Sequence, residues 1–137
     1  MGQNDKGQLG DGTTTNRLSP ITVKGSFNGQ VVAMCAGIVH SLVVDSSGNV
    51  WSFGDNTYGQ LGNGNQVASP TPIKVQGALT NEKVVAVACG NYHSIALIRN
   101  GTVLVWGYNG YGQLGDGTTV NKPLPQTVHL TELLYKR

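Results

Sequence analysis

The sequence predicts an all-β repeat array of short antiparallel strands, four to a sheet, and three observations carry that reading. GQLGDGTT at residues 7–14 returns as GQLGNGNQ at 59–66 and as GQLGDGTT at 112–119. The starts are spaced by 52 and then 53 residues, a period that marks solenoids and propellers rather than one irregular domain. The stretch VVAMCAGIVHSLVVDSSGNVWSFGDNTYGQLGNG from Val31 also aligns, without a gap, with VVAVACGNYHSIALIRNGTVLVWGYNGYGQLGDG from Val84. Twenty glycines in 137 residues and only 12% charged residues, about twice and about half the usual shares, suit a turn-rich β array.

The period divides the chain into a partial repeat at 1–18 ending in the GQLGDG turn, repeats at 19–70 and 71–123, and a partial repeat with a tail at 124–137. The chain thus opens in mid-repeat. Each full period holds four strands.

The first strand, Ile21 to Lys24 or Pro72 to Val75, follows a proline, which fits an edge position where a ladder donor is not needed. Val31 to Ala36 or Val84 to Cys89 comes second. It is apolar throughout, the pattern of a strand buried on both faces, and its small residues Ala33, Cys35 and Ala36 suit crowding toward a central axis. The third, His40 to Asp45 or His93 to Ile98, runs into Ser47-Gly48 or Asn100-Gly101, both strong hairpin signals because glycine accepts the positive φ such turns need. The fourth, Val50 to Gly54 or Val103 to Gly107, places Trp51 and Phe53, and Leu104 and Trp106, at matching positions on a period-2 strand. Those bulky residues are expected to pack between neighbouring sheets.

A formal charge of +2 with scattered lysines and arginines gives no basic patch, so no nucleic-acid partner is expected. No stretch reaches the roughly 18 apolar residues of a membrane span, and MGQNDKGQLG lacks the apolar core of a signal peptide. A soluble chain with no membrane contact is expected; its compartment is left open.

The strings HSLVVDSSGNVWSFGDNTYGQLGNG and HSIALIRNGTVLVWGYNGYGQLGDG, preceded by CAG or ACG, resemble the repeats of the regulator of chromosome condensation family. The resemblance runs from Gly2 to about Val128. It implies β-propeller blades of four antiparallel strands, with about seven repeats closing the usual ring. Two full blades plus partial repeats make only part of one, and stacks of this kind need about three units with covered ends. Copies of the same chain are therefore the first expected partners, their partial repeats completing one another; a fragment of a longer propeller is the alternative. Leu130, Leu133 and Leu134 in the tail would fall on one side of a short helical cap.

GQLGDGTT is not a phosphate loop, since no Gly-Lys-Ser/Thr follows, and its glycine order is not that of a dinucleotide fold. Asp11 and Asp116 offer one carboxylate per turn, with Asn63 in the middle copy, too few oxygens for calcium. Cys35 aligns with Ala88 and Cys89 with Ala36. The cysteines therefore point to opposite faces of equivalent strands, and the expected state is two buried free thiols. His40 and His93 are expected to hydrogen-bond a loop of their own blade, with Ser41 and Ser94 on the opposite face; His129 has no repeated role. No enzyme, cofactor or metal is expected.

Positions that differ between copies are the better candidates for recognition, because stacking does not require them. Ile38-Val39 against Asn91-Tyr92, Asp55 against Tyr108 and Thr57 against Gly110 are such places. Tyr58, Tyr92, Tyr108 and Tyr111 could form an aromatic contact surface, ordinary loop packing being the competing reading. The functional expectation is a non-catalytic scaffold that binds an unknown protein partner. The resemblance offers two alternatives: a fragment of a guanine nucleotide exchange factor for a small GTPase, or a propeller-type inhibitor of a secreted enzyme.

Overall fold

A computed structural model describes residues 1–128. It contains Val31–Ala36 (β1), His40–Asp45 (β2), Val50–Gly54 (β3), Ser69–Lys74 (β4), Val84–Cys89 (β5), His93–Ile98 (β6), Val103–Gly107 (β7) and Lys122–Val128 (β8). They form two four-stranded antiparallel sheets in the orders β1-β2-β3-β4 and β5-β6-β7-β8. These are the two blades of an open arc. Residues 129–137, which include His129 and the expected helical cap, lie outside the described residues.

The hairpins form where the glycines allow them. Gly48 has φ 86° and Gly101 φ 93°, and the registers Val43↔Trp51 and Ala96↔Leu104 follow from those tight turns. Both innermost strands carry a register shift at the same place, between Val31 and Ala33 and between Val84 and Ala86.

The sequence period and the sheets are offset. The strand read from the sequence as Pro72 to Val75, opening the second repeat, forms over Ser69–Lys74 and closes the first sheet by pairing with β3 through Trp51↔Lys74 and Ser52↔Ile73. The proline argument holds, because this is an edge strand. Residues 21–24, the matching segment one repeat earlier, form no ladder among the described residues. They belong to an arm, residues 1–24, fastened to the first blade by Gly12 N–H to Pro70 O (3.0 Å) and by the Ser41 hydroxyl to Gln8 O (2.8 Å).

The core lies between the blades. Leu42, Val44 and Val50 of the first and Ala96, Ile98 and Trp106 of the second share one buried cluster, with Val75 and Leu79 from the connection. Trp106 is fully buried and its Nε1–H donates to Gln60 O at 2.9 Å. Leu104 and Trp106 thus take the inter-blade place expected of the bulky residues of that strand, whereas Trp51 packs edge-on against Phe27 and Phe53 lies against Gly10 of the arm. The all-apolar inner strands are less buried than their pattern implies: Met34 is 70% exposed and Val85 45%. Burial on both faces needs a blade on each side, and β1 has one on a single side.

The cysteines overturn the expectation of free thiols. Cys35 and Cys89 form a disulfide, with Cα atoms 5.7 Å apart, inside the range that bridging allows. The alternation argument was sound within a strand but was applied to the wrong pair of surfaces. The face that one blade turns toward the next is opposite to the face that the next turns back. Residues one position out of register therefore converge across the joint, and Ala33 and Cys35 meet the same core that Val87 and Cys89 meet from the other side.

Candidate interaction site

The joint between the blades sets the site. Each GQLG turn is anchored at its start by a buried asparagine. Asn56 accepts Leu61 N–H at 3.0 Å through Oδ1 and donates through Nδ2 to Asn65 O (3.0 Å) and Val67 O (3.1 Å). Asn4 and Asn109 do the same in the other two copies. Gly59, at φ 77°, lies so close to Pro123 of the second blade that a side chain there would strike the proline backbone. Gly7 meets Pro70 in the same way. Around the third turn, Gly115 and Gly117 face open space among the described residues. The glycines are repeated because each of the first two turns seats on a following strand, and the third turn meets none among the described residues.

The HS dipeptide works across the same joint. Ser94 Oγ donates to Gln60 O at 3.0 Å, so its proton is committed, and His40 Nε2 donates to Ser94 Oγ at 3.1 Å. His40 thus bonds the next blade, correcting the expectation that it serves a loop of its own. Alternation on the strand sends the histidine forward and the serine back. The Nδ1 of His40 is buried without a partner. Burial, with the charge of His93 adding to it, pushes the His40 pKa down to about 4. His93, the matching residue of the second blade, is lowered by burial alone. With its hydroxyl buried and its proton given to a backbone carbonyl, Ser94 is a structural group. Among the described residues no three His, Cys, Asp or Glu side chains gather as a metal site. Asp11 is held well below the usual carboxylate range by Thr13 first, then also by Arg17 and Asn4, and ties its own turn together.

The loops after β1, β3, β5 and β7 emerge at one end of the sheets, the β2–β3 and β6–β7 hairpins at the other. The four tyrosines of the described residues sit in the first set. Tyr58, from the first blade, lies 5.4 Å from Tyr92 and 4.7 Å from Tyr108 between ring centroids, both in the second blade. Tyr92 and Tyr108 are 6.3 Å apart, and Tyr108 and Tyr111 6.1 Å. These are edge-on and tilted packings of the kind that favour aromatic pairs. Together with Asn91, His93 and Gln113 they line a concavity of about 350 Å³; no carboxylate or ammonium borders it, and burial lowers the pKa of His93 and so favours its neutral form. Tyr58, Tyr92 and Tyr108 are half-buried, while Tyr111 is 89% exposed. Tyr58 and Tyr111 are the same position in successive repeats; Tyr58 has a blade to lean on and Tyr111 does not. Ile38 N–H, from the other variable loop, donates to Asn91 O at 3.2 Å across the joint.

This geometry is that of consecutive propeller blades, and the comparisons agree. The profile described as the regulator of chromosome condensation (RCC1) repeat matches residues 1–44, 47–97 and 100–133, and a second RCC1 repeat profile matches residues 31–60 and 84–113. The chain belongs to the RCC1 repeat family. It is 35% identical over 132 residues to the ultraviolet-B receptor UVR8 of Arabidopsis thaliana, covering 96% of this chain and 30% of the receptor. It is 40% identical over 117 residues to the RCC2 homolog of Danio rerio, covering 83% of this chain and 23% of that protein. The structure superposes on human WBSCR16 with a TM-score of 0.82 at 30% identity, over 94% of this chain and 34% of that one. Yeast RCC1 (Prp20), solved with Kap60, also gives 0.82, at 23% identity over 96% and 32% of the two chains. The chain spans less than a third of the length of these curated relatives, and its ring is not closed.

Proposed function

We propose that the chain is a non-catalytic propeller module that binds protein through the tyrosine surface at the joint of its two blades. The observation that supports this is the cluster itself: four tyrosines from two repeats converge on one concavity, free of charge and beside an exposed Tyr111. Large, rigid aromatic side chains with a polar tip are the usual anchors of protein contacts. The same surface has no activated nucleophile, which favours binding over catalysis. Capture from a lysate by the wild-type chain and by Tyr111→Ala, compared band by band, tests the reading. A partner retained by the first and lost by the second supports it; identical captures count against the tyrosines.

Self-association completes the proposal. His93 and the third turn stand at one end of the arc in the places that His40 and the second turn occupy at the joint, and Ser41 on Gln8 O stands at the other. The two ends fit the pattern of the internal joint. They also overlap, since the arm at 1–24 repeats the segment that ends in β8, so a copy docking head to tail must displace one of them. β8 is paired with β7 at four registered positions, whereas the arm makes no ladder with either sheet. The arm is the one that yields.

A further inference from the structure

We propose that Cys35 and Cys89 are a redox clamp on the blade joint, closed and opened by thiol–disulfide exchange with a small-molecule couple of the glutathione class. The two residues lie on the innermost strands of adjacent blades, 54 residues apart in sequence. Neither cysteine recurs in the other repeat: the position of Cys35 is Ala88 in the second blade and that of Cys89 is Ala36 in the first. If the role were only to fill space near the axis, alanine would do, as it does at both matching positions. The placement puts both thiols at one joint and neither on an outward-turned face. Both departures fall on the blade 1 to blade 2 contact, where the two side chains meet.

The pair is also reachable. Both residues are half-buried, and Cys35 borders an apolar cavity of about 300 Å³ between the arm and the first blade, beside Leu9, Val23, Ala36 and Phe53. Closing the clamp passes two electrons from the cysteines to an oxidised small disulfide, which is the oxidant of the couple. The thiolate of one cysteine attacks an oxidised small disulfide and expels one small thiol; the second cysteine's thiolate then attacks the mixed disulfide and expels the other. Two protein thiols and one small disulfide become one protein disulfide and two small thiols. Opening is the reverse. The clamp spans the same joint as the Tyr58, Tyr92 and Tyr108 packing, so its state sets how firmly that surface is held.

Equilibrating the full chain with oxidised or reduced glutathione, then alkylating free thiols and weighing the product, reads the clamp directly. The oxidised chain is expected to resist alkylation and to melt roughly 10 °C above the reduced chain, the size expected for closing a loop of this length in a small protein. Acrylamide should quench the tryptophan fluorescence more readily in the reduced chain, because Trp106 lies in the joint. The double variant Cys35→Ala with Cys89→Ala, which installs the residues the other repeat already uses, should melt with the reduced wild type and ignore the couple. Equal melting temperatures for oxidised and reduced wild type would overturn the proposal. So would alkylation of both cysteines in folded chain equilibrated with the oxidised couple; if the double variant does not fold, these wild-type measurements still decide.

Discussion

His40 in the first blade donates through Nε2 to the Ser94 hydroxyl of the second, 3.1 Å away, and leaves its own Nδ1 buried and unpaired. A charged imidazolium would carry a second N–H into that unpaired position. The unfolded chain binds a proton near the ordinary value of 6.5, while the folded His40 does so only near 4. Between those values the unfolded state holds more protons, so stability falls as pH falls, at most by about 1.4 kcal/mol per pH unit. Urea unfolding at pH 7, 5.5 and 4.5 should show that loss, and His40→Gln should reduce it, leaving the part that His93, also lowered by burial, contributes with the same sign. A slope unchanged by the substitution would assign the effect elsewhere. Asp11, Asp45 and Asp116 are all held below the usual carboxylate value of 3.8, so their contribution fades only at lower pH.

Trp106 and Phe53 hold the same position in successive repeats, and the protein has in effect tested the exchange. Trp106→Phe loses the hydrogen bond to Gln60 O and some volume, at a cost of about 1–2 kcal/mol. Trp106→Ala empties the centre of the joint and should cost about 3–5 kcal/mol. Denaturant midpoints of the two variants check the ranking.

Asn56→Ala removes the acceptor for Leu61 N–H and the donor to Asn65 O and Val67 O, all in a fully buried place. The expected loss is about 2–3 kcal/mol. Asn109→Ala, in the turn that seats on nothing among the described residues, removes the same bonds but disturbs no joint. It should cost less, and thermal melts of the two variants show whether it does.

Much of this was legible in the repeat. The four strands, both hairpins, the inter-blade place of Trp106 and the structural task of the GQLG glycines follow from aligning the copies. What the alignment did not show was which surfaces face one another. Cys35 and Cys89, and His40 and Ser94, are partners because opposite faces of equivalent strands meet between blades; a period-2 rule applied to one strand sees them diverge. The sheet boundary at Ser69–Lys74 escaped for a related reason. A repeat has no natural start in sequence, and only pairing with β3 decides which blade the strand joins. The four tyrosines could be picked out because Tyr92 and Tyr108 differ from Val39 and Asp55 in the other copy. Their convergence needed the joint to be built.

Tyr111→Ala should leave the melting temperature within about 1 °C of wild type, since an exposed side chain contributes little, while weakening partner capture. A large drop in stability would make Tyr111 a packing residue.

The proposed completion of the open two-blade arc is by binding, first of all to copies of the same chain. Light scattering on the purified chain over a range of concentrations tests it most directly. The predicted result is a mass that rises to a whole multiple of 14.4 kDa. A compact, stable species of 14.4 kDa at every concentration would contradict it.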